Sequence, residues 1–158
     1  MLPVDRKFVS VTPPAAIVDN ASLTTNVIDT KGFRYAEVLV YVGATDIALT
    51  ALKLQEADVA SDATTLTSGA DVTGSRFGTD ANDTGSTSTL PSATDDNKFL
   101  KFEVDLRGRK RYLKPVVTFG DGSVGGFAAV WAELSRGENV PTTASQKGVS
   151  QLMRVPAL

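Results

Sequence analysis

Along most of this chain the hydrophobic positions repeat every second residue, the period of a strand with one buried and one wet face. From Phe99 to Leu106, the residues Leu100, Phe102, Val104 and Leu106 share one parity, while Lys101, Glu103 and Asp105 share the other. A tight basic turn, Arg107-Gly108-Arg109-Lys110, follows. The segment from Arg111 to Phe119 reads as the next strand, with Pro115 placing it at an edge or a bulge. Gly120-Asp121-Gly122-Ser123 then reads as a hairpin turn, because Asp-Gly accepts the positive φ such turns need. The return strand runs from Val124 to Leu134, with Trp131 expected in the core. Together these segments predict a three-stranded antiparallel meander.

In the first half, Phe33 to Val42 is β-rich on both faces. Ala36, Val38, Val40 and Val42 line one side, and Tyr35, Leu39 and Tyr41 share the other with Glu37. Such a strand is central in its sheet or has one face against a neighbouring subunit. Ile47 to Glu56 resumes the pattern with a parity shift between Leu49 and Leu52, as a bulge allows. Lys7–Val11, Ala15–Val18 and Leu23–Ile28 are shorter strand candidates, and Pro13-Pro14 excludes helix between the first two. No helix-length segment shows a 3.6-residue amphipathic period. The expected fold is therefore all-β: an antiparallel β-sandwich of jelly-roll type, with a long polar insert and extended terminal arms.

The insert spans residues 57–97. Of its 41 residues, 34 are Ala, Ser, Thr, Asp, Asn or Gly, a composition too polar for a core. Val59, Leu66, Val72, Phe77 and Leu90 recur through it, which predicts an excursion of short strands pinned by those five. The expected organisation is an N-terminal arm and first strand at 1–22, a sandwich at 23–135 and a C-terminal arm at 136–158. Prolines, glycines and isolated apolar residues such as Leu152 and Met153 mark the arms as segments that lie across a neighbour.

Charge sharpens the picture. The formal net charge is −2, which argues against direct nucleic-acid binding by bulk electrostatics. Within the insert, seven aspartates face the single Arg76, whereas residues 98–114 hold seven Lys or Arg against Glu103 and Asp105. This segregation predicts a dipolar surface, with Arg107, Arg109, Lys110 and Arg111 as docking candidates for an acidic partner. The N-terminus lacks a signal-peptide core, and no run approaches the roughly 18–20 apolar residues of a membrane span. A soluble protein with no membrane partner is expected.

Chemistry is sparse. The chain has no histidine and no cysteine, so Ser-His-Asp and Cys-His pairings, disulfides and the common zinc sites are out of reach. Gly120 to Gly125 matches GxGxxG, but it links two strands instead of opening a helix, where a pyrophosphate would bind. Asp80 to Gly85 begins like a calcium loop, yet the twelfth position, which needs a bidentate Glu, is Pro91. A carboxylate-pair glycosidase, with Trp131 as sugar platform, is the weakest of the readings. The expectation is a non-enzyme with no catalytic, cofactor or metal residues.

Several phrases resemble small proteins encoded in the head-gene clusters of tailed bacteriophages. They are Tyr35 to Glu56 (YAEVLVYVGATDIALTALKLQE), Asp71 to Gly74, Lys110 to Thr118 (KRYLKPVVT) and Ala128 to Leu134 (AAVWAEL). The likeness covers roughly residues 5–135, and Leu39–Glu56 is its most distinctive part. It implies a capsid decoration, or cement, protein of jelly-roll fold, assembled in the host cytoplasm and located on the outer capsid surface of the virion. Such proteins bind as dimers or trimers over junctions between major capsid protein subunits. Tyr35, Leu39, Tyr41, the Arg107–Arg111 basic residues, Leu152 and Met153 are the candidate contacts with the capsid or with other copies. The alternative is a head- or tail-associated host-surface or carbohydrate-binding module that uses the insert.

Overall fold

The computed structural model describes residues 5–12, 17–45, 47–78, 89–120 and 125–154. Eleven strands lie among them: β1 (Lys7–Ser10), β2 (Ala21–Ser22), β3 (Ile28–Asp29), β4 (Tyr35–Val42), β5 (Ala51–Ala57), β6 (Val59–Ala60), β7 (Leu66–Thr67), β8 (Ala70–Arg76), β9 (Phe99–Asp105), β10 (Tyr112–Phe119) and β11 (Ala128–Ser135). The single helical turn among the described residues is a 3-10 turn at Ala93–Asp95. A first sheet has the order β1-β11-β4-β9 and a second the order β2-β10-β5-β8, with β3 also paired to β10. β6 and β7 form a separate two-stranded ladder, and every pairing is antiparallel.

The two sheets enclose one core, as the alternation requires. β4 contributes Ala36, Val38, Val40 and Val42, all fully buried, while β11 adds Val130 and Leu134 and β9 adds Phe102 and Val104. The second sheet answers with Leu52 and Leu54 from β5 and Leu113, Val117 and Phe119 from β10. β4 lies between β11 and β9, which is the central one of the two placements its apolar faces allow.

The expected meander does not form. β9 and β11 belong to the first sheet and β10 to the second, so each link between them crosses from one sheet to the other. Short turns and clean alternation are equally compatible with a hairpin and with a crossing between layers, so neither local signal decides which strands pair. The basic segment 107–111 is thus an inter-layer link. Gly120 joins strands that do not pair with each other, and residues 121–124 of the expected hairpin lie outside the described residues. Pro13-Pro14 and the Asp80 to Gly85 run lie outside them too.

Pro115 has a specific explanation. β10 is an inner strand, but β2 pairs with it at Thr118 and Phe119 and β3 at Tyr112 and Leu113, leaving a break between. Leu23 N–H donates to Val117 O at 2.8 Å and Thr30 N–H to Arg111 O at 3.1 Å, so odd-numbered residues face that side. The proline nitrogen, which has no hydrogen to donate, therefore points into the break. Its carbonyl accepts from the buried Thr25 hydroxyl at 2.7 Å.

Leu49 precedes β5, its N–H donating to Pro91 O at 2.8 Å, so the parity shift there marks the strand's start. The register irregularity lies instead between β5 and β8, where Lys53↔Arg76 passes to Gln55↔Asp71. Within 57–97, β8 belongs to the second sheet and Val72 is buried, whereas Val59 is 56% exposed. Phe77 meets Phe102 edge-on, with ring centroids 5.0 Å apart, tying this segment to the first sheet.

The chain after β11 returns along its own first strand. Glu138 N–H donates to Gly32 O and Phe8 N–H to Lys147 O, both at 2.8 Å. Gly148 lies at φ +73°, and a Cβ there would sit 1.8 Å from the Phe8 carbonyl oxygen, so only glycine permits the approach. The outer edge of β1 is covered in this way. A cavity of 220 Å³ remains beside it, lined by Lys7, Phe33, Asn139, Val140, Pro141 and Gln146.

Candidate binding surface

The outer face of the first sheet gathers the side chains that the core does not use. Strand parity puts Tyr35, Glu37, Leu39 and Tyr41 of β4 on it, with Ala129, Trp131 and Glu133 of β11 and Phe99, Lys101, Glu103 and Asp105 of β9. Register then sorts them into rows. Ala129, Tyr41 and Phe99 form one row, Trp131, Leu39 and Lys101 the next, and Glu133, Glu37 and Glu103 a third.

The first two rows make an aromatic cluster. Tyr41 and Phe99 have ring centroids 4.6 Å apart, and Phe99 meets Trp131 edge-on at 5.7 Å. Phe99 is 61% exposed, a large apolar surface to leave in water on a rigid strand. Trp131 is half-buried on this outer face and not in the core, contrary to the sequence expectation. Its strand parity is that of Glu133, whereas the core takes Val130, Ala132 and Leu134.

The third row places three glutamates side by side across adjacent strands, a repulsive arrangement unless cations intervene. Arg6 bridges Glu133 and reaches Glu37 at 4.0 Å, and Lys101 bridges Glu103 and reaches Glu37 at 3.4 Å. Hydrogen bonding from Lys101 holds the Glu103 carboxyl below its ordinary range, and the same contact raises Lys101. At the far end, Tyr35 stands opposite Asp105, with the Arg136 guanidinium 5.5 Å from the Tyr35 ring centroid.

The basic residues are differently disposed from what the sequence implies. Arg107 grips Asp105 through two nitrogens and lowers its carboxyl to about 2. Arg109 lies 3.5 Å from Glu56 and Lys110 4.0 Å from Asp58. Arg111 makes a two-pronged contact with Asp29 at 2.8 and 2.6 Å, which lowers that carboxyl. Elsewhere Lys53 pairs with Asp71 at 2.6 Å and Lys98 with Asp95 at 3.7 Å. Several charges that lie in separate blocks along the chain thus meet in space, Lys110 with Asp58 and Lys98 with Asp95 among them.

Of the sequence-derived candidates, Tyr35, Leu39 and Tyr41 share the outer face, and Arg107 adjoins it through Asp105. Arg109, Lys110 and Arg111 instead point their charges at carboxylates of Glu56, Asp58 and Asp29. Leu152 and Met153 are 41% and 88% exposed, beyond the turn that covers β1. Sequence reasoning missed Phe99 and Trp131, although each shares its parity with charged residues, which is the signal that places them outside.

Among the described residues no group of three or more acidic side chains is arranged to hold a metal ion, and no helix is long and apolar enough to cross a membrane. The surface therefore defines a class of protein: an antiparallel β-sandwich presenting an aromatic, ion-paired sheet face. No protein-family model, curated protein or solved structure matches the chain.

Proposed function

We propose that the chain is a structural virion protein that binds the outer surface of a phage capsid and cements junctions between major capsid protein subunits. The reading is carried by the outer face of the first sheet, where Phe99, Tyr41, Trp131 and Leu39 form one cluster. Aromatic side chains held on rigid strands lose little entropy on binding and are the residues that dominate protein interfaces.

Strand order supports the jelly-roll form of the sandwich. With β2 and β3 counted as one interrupted strand, each sheet has four strands, and successive strands alternate between sheets apart from β5 and β8. This is the architecture that the phage resemblance implies.

Co-sedimentation with expanded shells of the major capsid protein tests the proposal. The intact chain is expected on the shells, and Trp131→Ala and Phe99→Ala are expected to weaken attachment by roughly 2–4 kcal/mol each. Full attachment by both folded variants, or indifference of the intact chain to the shells, would count against it.

One observation favours the host-surface alternative: exposed rings beside carboxylates also suit the stacking and hydrogen bonding of a sugar. Removing all of 57–97 would delete β8, so the relevant deletion is the β6–β7 ladder with its flanks, residues 58–69. The alternative predicts glycan binding that this deletion or the ring variants abolish while shell binding persists.

A further inference from the structure

The two edges of the first sheet are treated differently. The C-terminal return covers β1, while β9 ends the sheet on the other side. Val42 N–H donates to Lys98 O at 3.2 Å and Leu106 N–H to Arg34 O at 3.0 Å, so the even-numbered residues of β9 bond inward to β4. The main-chain N–H and C=O groups of Phe99, Lys101, Glu103 and Asp105 therefore point outward, and no described strand pairs with them. Among the described residues this leaves an edge of seven residues without a neighbouring strand, which is a template for another strand.

Which strand fits is decided by charge. An antiparallel partner must set its own outward-facing residues against these odd-numbered ones. If the partner is a second copy of β9, three central registers satisfy that condition. Centring on Lys101 opposes lysine to lysine, and centring on Glu103 opposes glutamate to glutamate. Centring on Phe102 opposes Lys101 to Glu103 of the second copy, and Glu103 to its Lys101. That register also sets the exposed Phe99 beside Asp105 of the second copy, with the Arg107 that grips it. Like charges directly opposite repel and unlike charges attract, so the self-pairing has one electrostatically favoured register.

We propose that β9 is a dimerisation edge: two copies pair their β9 strands antiparallel about Phe102, joining two four-stranded sheets into one continuous eight-stranded sheet. The aromatic clusters of the two copies then lie on the same face of that sheet, giving a doubled binding surface. The interface stands independently of the capsid reading, because the purified chain alone reveals it.

The test is the mass of the purified chain by sedimentation velocity, together with hydrogen exchange of the β9 amides at low and high protein concentration. The intact chain is expected at twice the protomer mass, with the Phe99, Lys101, Glu103 and Asp105 amides gaining protection as concentration rises. K101E puts acid opposite acid and is expected to be monomeric. The double swap K101E/E103K restores opposite charges across the edge and is expected to return the dimer, which separates loss of pairing from loss of folding. A monomeric intact chain, a K101E variant that remains dimeric, or a folded double swap that remains monomeric would each overturn the proposal.

Discussion

At the scale of single residues, the fold is marked by ion pairs that bring distant parts of the chain together. Asp29 and Arg111 are far apart in sequence yet meet where β3 and β10 run side by side, and Arg107 folds back on Asp105 two residues before it. Such exposed pairs contribute little each, and their effect appears through titration. Asp105 ionises at about 2 in the folded protein against an ordinary 3.8, so its contribution is complete above the ordinary value. That contribution is lost as pH falls through the folded one, because the unfolded chain then takes up the proton first. Chemical denaturation at a series of pH values is expected to show stability declining across this acid window, with a shallower slope in Asp105→Asn. An equal slope in the two proteins would remove Asp105 from the account. The Asp29–Arg111 pair was not legible in the sequence, where its partners lie far apart.

At the scale of elements, β10 shows how a residue unsuited to an inner strand is accommodated. Pro115 falls at the break between β2 and β3, and Thr25 supplies the bond that its carbonyl would otherwise lack. Thr25→Val keeps the shape and removes the donor, leaving a buried acceptor unsatisfied. It is expected to cost about 1–3 kcal/mol, read as a lower denaturation midpoint with an unchanged slope. The sequence located the strand and flagged the proline. It did not reveal that two short strands divide the neighbouring position, because Ala21–Ser22 and Ile28–Asp29 are too brief to show a period. The outer-face reading of Phe99 and Trp131 also belongs to this scale. The sequence reading placed Trp131 in the core and gave Phe99 no face, although the parity each shares with charged neighbours, Glu133 for one and Lys101 for the other, carries the outward signal.

At the scale of the whole molecule, the alternation of strands between sheets means that neighbours in space are seldom neighbours in sequence. β1 pairs with β11 and β4 with both β9 and β11, so long loops must close before those contacts form. Refolding followed by stopped-flow fluorescence of Trp131 is therefore expected on the order of milliseconds to seconds, the range of non-local β-sandwiches. A microsecond main phase would contradict this topology.

By itself, the sequence determined that the chain is all-β and that residues of one parity in each long strand share a face, as Leu100, Phe102 and Val104 do in β9. Those properties follow from the two-residue period, which each segment carries locally. Only the tertiary structure decided which strands pair, that the basic segment links two layers, and that its charges meet Asp29, Glu56 and Asp58. Pairing depends on the closure of two sheets around one shared core, and no single segment contains that information.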